Sequence, residues 1–248
     1  MSRINRAIIL AAGQGTRLRP LTNDRPKCLV EYQGIPILER LRTTFAACSI
    51  SDLTLVAGYL AHTIPAQGLN VLRNPRFAET NMVHTLMRAR DILRRGAVVC
   101  YGDILFRPRV LQAVLDSPHD FAVCVDTYWQ ELWQRRMEDP LADAETLKLS
   151  PDGRILELGK KPNSYEDIQG QYMGLFAVSP GAASKILDLY DSLDRTALYD
   201  GKDFENMYMT SFIQAVIDHC MDVHAVPVSG GWLEIDTPSD LDVDMVEP

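Results

Sequence analysis

No stretch of the 248 residues strings together the roughly 18 apolar side chains that a bilayer-spanning helix requires, so no membrane partner is expected. Residues Met1 to Arg6 lead into an apolar run that stops at Gly13, too short for a secretory leader, and the cytoplasm is the expected location. Basic excess is missing too: 25 Lys and Arg stand against 33 Asp and Glu, a formal net charge of −8. That balance argues against a nucleic-acid surface, and any bound anion must be met by a local basic cluster. The five cysteines, Cys28, Cys48, Cys100, Cys124 and Cys220, form no C-x-x-C pair and are odd in number. Several sit in apolar runs, so buried reduced thiols are expected. The five histidines show no metal-ligand spacing, and there is no internal repeat, low-complexity segment or flexible linker.

The chemistry begins with Ala7-Ile8-Ile9-Leu10-Ala11-Ala12-Gly13-Gln14-Gly15-Thr16-Arg17-Leu18, followed by Pro20-Leu21-Thr22 and then Pro26-Lys27. An apolar run that ends in small residues and close glycines describes a buried strand whose end turns tightly and exposes backbone N–H groups to a phosphate chain. Gly13 and Gly15 are expected to supply positive φ and close approach. Arg17 and Lys27 add charge, and Pro20 and Pro26 stiffen the loop between them. A dinucleotide fingerprint needs Gly or Ala where Leu18 stands, and a P-loop needs Gly-Lys-Ser/Thr, so neither applies.

Strand-like runs at 7–11, 53–57, 69–72, 97–101 and 121–125 alternate with helical patterns near 37–47, 82–93 and 108–115. This rhythm predicts an α/β fold, a mostly parallel sheet flanked by helices, with ligand at the carboxyl ends of the strands. After Asp126 the pattern becomes richer in β: a hairpin over 145–149 and 155–158 around Pro151-Asp152-Gly153, a strand over 171–178, helices near 180–193 and 209–219, and a strand over 223–228. A single domain over 1–248 is expected, with 1–126 mainly the nucleotide half and 127–248 mainly the acceptor half.

Three further segments carry charge. Cys100-Tyr101-Gly102-Asp103 ends a strand in a carboxylate that can hold a divalent cation, or is simply a turn. In Trp232-Leu233-Glu234-Ile235-Asp236 the period of two puts Trp232, Glu234 and Asp236 on one face, either functional or a solvated edge strand. Asp103 and Asp236 together suffice for Mg²⁺, which takes few protein carboxylates. Thr237-Pro238-Ser239-Asp240 reads as a turn and helix start. Lys160-Lys161-Pro162 offers two ammonium groups for a substrate phosphate, or is an exposed basic turn.

The string G-x-G-T-R-L-x-P-L-T with P-K further on resembles the signature of nucleotidyltransferases that join an NTP to a phosphorylated small molecule. The Lys-Pro segment, Gly170-Gln171-Tyr172-Met173-Gly174 and Trp232 to Asp236 extend the resemblance along nearly the whole chain. It implies a Rossmann-like fold and attack of a phosphate monoester on the α-phosphorus, with pyrophosphate leaving. By position, Ala11, Ala12, Gly13, Gly15 and Gly102 would bind the nucleotide, Arg17 the pyrophosphate and Lys27 the reacting phosphates. Asp103 and Asp236 would hold Mg²⁺, while Lys160, Lys161, Tyr172, Trp232 and Glu234 would meet the acceptor. Lys160 stands where many relatives have Glu, which leaves open which lysine binds.

Glu79-Thr80-Asn81-Met82 looks like the base-side segment of bacterial phosphocholine cytidylyltransferases. Asp139-Pro140-Leu141, Asp143-Ala144-Glu145-Thr146 and Gln169-Gly170-Gln171-Tyr172 resemble a branch acting on phosphorylated amines, amides or aminophosphonates for surface polysaccharides. The resemblance implies CTP and a small phosphorylated acceptor as partners, with Asn81 reading the base or capping the next helix. An aromatic and acidic set, Tyr128, Trp129, Trp133, Tyr172, Tyr208, Trp232 and Glu234, suits an ammonium or amide group, although Trp129 and Trp133 at i, i+4 also suit helix packing. The competing readings are a sugar-1-phosphate enzyme using another NTP and a silent nucleotide-binding subunit. A homo-oligomer stays open.

Overall fold

The structure, a computed structural model, describes residues 4–247. The chain opens with β1 (Arg6–Ala11), then a short hairpin of β2 (Glu31–Tyr32) and β3 (Ile35–Pro36), α1 (Ile37–Ala47), β4 (Asp52–Ala57) and β5 (Asn70–Arg73). There follow α2 (Met82–Met87), α3 (Arg90–Leu93), β6 (Ala97–Tyr101), β7 (Ile104–Phe106), α4 (Pro108–Leu115), β8 (Phe121–Asp126) and α5 (Trp129–Arg136). The remainder holds the hairpin β9 (Leu147–Leu149) and β10 (Ile155–Leu158), then β11 (Gln171–Val178), α6 (Pro180–Ser192), α7 (Met209–His219), β12 (His224–Val228) and β13 (Trp232–Glu234).

Seven strands form one sheet in the order β12-β8-β11-β6-β1-β4-β5. All neighbours are parallel except β11, which runs antiparallel to both β6 and β8. Period two explains the continuous apolar runs. Ala7 and Ile9 of β1 share a core with Leu41 and Phe45 of α1 and Val110 and Val114 of α4. Ile8 and Leu10 face the other side, where Leu86 of α2, Leu93 of α3, Ile186 of α6 and Phe212 of α7 pack. Cys28, Cys48, Cys100 and Cys124 are buried and unpaired, Cys220 is half-buried and unpaired, and burial pushes the Cys28 thiol up to about 12.

Three departures from the sequence reading affect the site. The expected helix over 82–93 is two helices, because Ala89 is drawn into the core and the Arg88 and Ala89 N–H groups bond back to Thr85 and Leu86 in a tighter turn. The strand over 171–178 forms, but it lies mid-sheet and antiparallel, between β6 and β8. The third is β7, which the periodicity does not predict and which pairs antiparallel with β13.

Candidate active site

The loop leaving β1 folds by local rules. Gly15 is left-handed at φ 69°, its carbonyl accepts from the Leu18 N–H and the Thr22 hydroxyl, and buried Leu18 anchors the turn. A Cβ on Gly15 would stand 2.9 Å from Lys27 Cδ, so the glycine gives Lys27 its path. Gly13 departs from expectation: its φ lies outside the left-handed region and a Cβ there would meet nothing within 4 Å. Ala11 and Ala12 continue the strand end, with the Ala12 carbonyl accepting from Tyr59 N–H. Gly15→Ala is expected to cost about 1–2 kcal/mol from the left-handed backbone alone, measured by urea denaturation, and to slow turnover by displacing Lys27.

Gly102 is needed for closeness. Its N–H donates to the Leu10 carbonyl, and a Cβ would lie 2.6 Å from Ala11 Cβ, which is how β6 ends tight against β1. Asp103 follows at once, and β7 then pairs with β13 through Ile104 and Glu234. The Ile235 N–H donates to the Asp103 carbonyl at 2.9 Å. This ladder brings Asp103, from the middle of the chain, together with Asp236, from near its end.

Between them lies Lys27, whose Nζ donates to Asp103 Oδ2 at 2.7 Å and to Asp236 Oδ1 at 2.6 Å. Burial works against its charge, but the two aspartates outweigh it and hold the ammonium above the usual lysine range. Arg17, 66% exposed, pairs with Asp236 Oδ2 at 2.5 Å. Asp103, Glu234 and Asp236 each offer one oxygen within 4.8 Å of the others. Asp103 Oδ1 is buried and has no hydrogen-bond partner among the described residues, and an all-oxygen set of this kind suits a hard divalent cation. Burial first, then the Asp103 and Asp236 charges, push Glu234 up to about 7.

Arg136 and Asp240 support this centre. The Arg136 guanidinium, 4% exposed, donates to Asp240 Oδ1 at 2.9 Å and lies 3.4 Å from Glu234 Oε2. Asp240 Oδ2 accepts from the N–H groups of Asp236 and Thr237 and the Thr237 hydroxyl, completing the helix start expected at Thr237. Sequence reasoning missed Arg136, which no motif marks.

Two cavities meet at this centre, sharing Arg17, Met82 and Asp236. The smaller, about 240 Å³, is lined by Gly13, Gly15, Lys27, Gly102 and Asp103. The larger, about 1010 Å³, is lined by Lys160, Lys161, Tyr172, Tyr208, Trp133 and Glu234 among others. Lys160 Nζ is tied to Glu157 Oε2 at 3.2 Å, whereas Lys161 Nζ, among the described residues, donates only to the Ala142 carbonyl. Tyr172 packs edge-on against Tyr101. Trp232 borders this cavity but is 2% exposed and donates its indole N–H to buried Asp126 at 2.8 Å, so it is wall rather than a solvated edge. Asn81 borders both the larger cavity and the α2 N-terminus, where its side chain accepts from Met82 N–H and donates to the Asn206 carbonyl. Tyr128 and Trp129 do not line the cavity, and Trp129 packs on Trp133 and Tyr165 instead.

A family model described as the MobA-like NTP transferase domain matches residues 7–183. The chain is 42% identical to the CTP:phosphoglutamine cytidylyltransferase of Campylobacter jejuni, over 96% of this chain and 98% of that protein. It is 32% identical to the choline-phosphate cytidylyltransferase of Streptococcus pneumoniae, over 95% and 94% respectively. Among solved structures, the inositol-1-phosphate CTP transferase from T. maritima superposes with a TM-score of 0.77 at 20% identity, over 96% of this chain and 92% of that one.

Proposed function

The chain belongs to the MobA-like NTP transferase family, and we propose that it transfers CMP from CTP to a small phosphorylated amine, amide or aminophosphonate, releasing pyrophosphate. The observation that carries this reading is the charged centre at the junction of a glycine-walled cavity and a larger one bearing two lysines. A phosphate oxygen of the acceptor attacks the α-phosphorus, the new P–O bond forms and the bond to the β-phosphoryl oxygen breaks. Such a reaction asks the protein for position and charge rather than a covalent intermediate.

In this reading the backbone at Ala11, Ala12, Gly13, Gly15 and Gly102 cradles the nucleotide and Asn81 meets the base. Arg17 faces the departing pyrophosphate and Lys27 the reacting phosphoryl group. Asp103 and Asp236, with Glu234 beside them, are the residues that would hold Mg²⁺, which when bound offsets phosphate charge. Lys161, whose Nζ donates to a backbone carbonyl rather than to a carboxylate among the described residues, is favoured over Lys160 for the acceptor phosphate. Tyr172, Glu234 and the Trp232 wall shape the remainder of the acceptor site. The product is an activated donor of the kind a later transferase uses to decorate a surface polysaccharide.

The test supplies Mg²⁺, each NTP in turn, and phosphorylated choline, ethanolamine, glutamine, aminophosphonate and sugar acceptors, with pyrophosphate as readout. Release with CTP and an amine- or amide-bearing acceptor is expected. Turnover confined to a sugar phosphate, or to another NTP, overturns the assignment.

A further inference from the structure

A third cavity, of about 110 Å³, adjoins the glycine-walled one and shares Leu10, Gly13 and Met82 with it. Its other wall comes from the segment between β5 and α2, through Phe77, Thr80 and Asn81. A nucleotide whose phosphates lie along Gly13 and Gly15 would extend its base into this recess. The segment has neither helix nor strand of its own, so its shape depends on what its side chains hold.

Its inner end is fastened by fully buried Asn74, whose amide donates to Thr80 Oγ1 and Thr85 Oγ1 at 3.0 Å each and whose Oδ1 accepts from the Arg76 N–H. Its outer end is fastened from the far half of the chain. Arg76 meets Glu205 in a two-pronged pair, both N···O distances 2.6 Å, and its Nε also reaches Glu79 Oε2 at 3.2 Å. The Glu205 carbonyl accepts from the Asn81 N–H at 3.0 Å, and the Asn206 carbonyl from Asn81 Nδ2 at 3.3 Å. Glu205 stands on a capped turn: Asp203 Oδ1 accepts from the Glu205 and Asn206 N–H groups, and Phe204 is buried against Tyr190. Neither Arg76 nor Glu205 is among the described residues lining the three cavities.

The Arg76 and Glu205 side chains are 46% and 41% exposed, and a pair so open to solvent contributes little to global stability. Its geometry is nonetheless specific, because a planar fork on a carboxylate fixes direction as well as distance. Such a pair orients the segment rather than holding the fold together. Asn81 is the residue it orients: the Oδ1 accepts from Met82 N–H and one Nδ2 hydrogen goes to Asn206, which leaves one donor and one lone pair of the amide for a base edge.

We propose that Arg76 and Glu205 are positioning residues for the nucleotide, their pair holding Asn81 and the recess in the shape that receives the base without touching it. The inference rests on the base role given to Asn81 above, and adds that the fit of the base is governed by a turn 129 residues further along the chain than Arg76.

The test is calorimetric and needs no turnover: titrate the protein with CTP and Mg²⁺ without acceptor and, separately, with inorganic tripolyphosphate and Mg²⁺, which lacks ribose and base. Arg76→Glu and Glu205→Arg are each expected to weaken CTP binding about five- to tenfold, in the range for members of one hydrogen-bond network, and to leave tripolyphosphate binding unchanged. The exchanged variant R76E/E205R is expected to recover the wild-type CTP affinity to within about twofold, because the pair re-forms with its ends reversed. Urea midpoints are expected to stay close to wild type in all three. CTP binding untouched by both single substitutions overturns the proposal, as does an equal loss for tripolyphosphate or a double variant no better than the singles. Wild-type protein that binds CTP no tighter than tripolyphosphate overturns it together with the base role of Asn81. If the selective loss and the rescue are found yet no acceptor in the panel above yields pyrophosphate with CTP, the positioning pair stands and the transfer reaction falls.

Discussion

Lys27→Ala is expected to lower kcat at least about a hundredfold, since a fixed donor aimed at developing charge is worth roughly 2.7–4 kcal/mol. The side chain is confined by the Gly15 backbone, tied to Asp103 and Asp236, and kept charged across the whole physiological pH range by those two carboxylates. Its removal leaves Asp103, Glu234 and Asp236 converging with Arg17 and Arg136 as the remaining cations nearby, which weakens binding of the triphosphate as well as the reaction. Lys27→Arg is not expected to rescue, because a planar guanidinium cannot act as the compact point charge that Asp103 and Asp236 share. Steady-state pyrophosphate release measures both variants, and near wild-type turnover of Lys27→Ala would remove Lys27 from the reaction. Circular dichroism should show the fold retained, as the residue sits at a cavity rather than in either apolar core.

The second large effect falls on stability. Arg136→Met keeps an unbranched apolar stem, shorter than the native side chain, and deletes the cation that Asp240 and Glu234 share. Breaking a buried pair by removing one partner typically costs about 3–5 kcal/mol, because the abandoned charge stays buried. Here the loss is compounded by the stacking of Arg136 over Trp133, at 5.8 Å from guanidinium to ring centroid. Urea denaturation should show a lowered midpoint with an unchanged slope. Catalysis should fall with it, since Asp240 is what holds the Asp236 and Thr237 N–H groups in place. A stability loss under about 1 kcal/mol would show that Glu234 and Asp240 find other partners.

The glycine loop, its two basic residues and the parallel sheet were legible because each rests on local rules. Ala7 to Ala11 must be a buried strand, Leu18 rules out a dinucleotide turn, and Lys27 follows Pro26, which stiffens the loop that presents it. The split of the helix over 82–93 and the mid-sheet place of β11 were not legible, because they follow from which core Ala89 enters and which strands β11 finds as partners. Arg136 was silent for a similar reason: a basic residue at the end of an amphipathic helix looks solvated until Asp240 and Glu234 arrive from beyond residue 230.

Local sequence thus determined the strand, the turn and the charges that such a turn presents, since these depend on side-chain period, left-handed backbone and residue spacing. Only the tertiary structure decided that Asp103 and Asp236 share one lysine, that Trp232 is wall, and that Glu205 holds Arg76. Those facts depend on the β7–β13 ladder and on the packing of distant loops, whose cost in chain entropy is recovered only when the whole core forms.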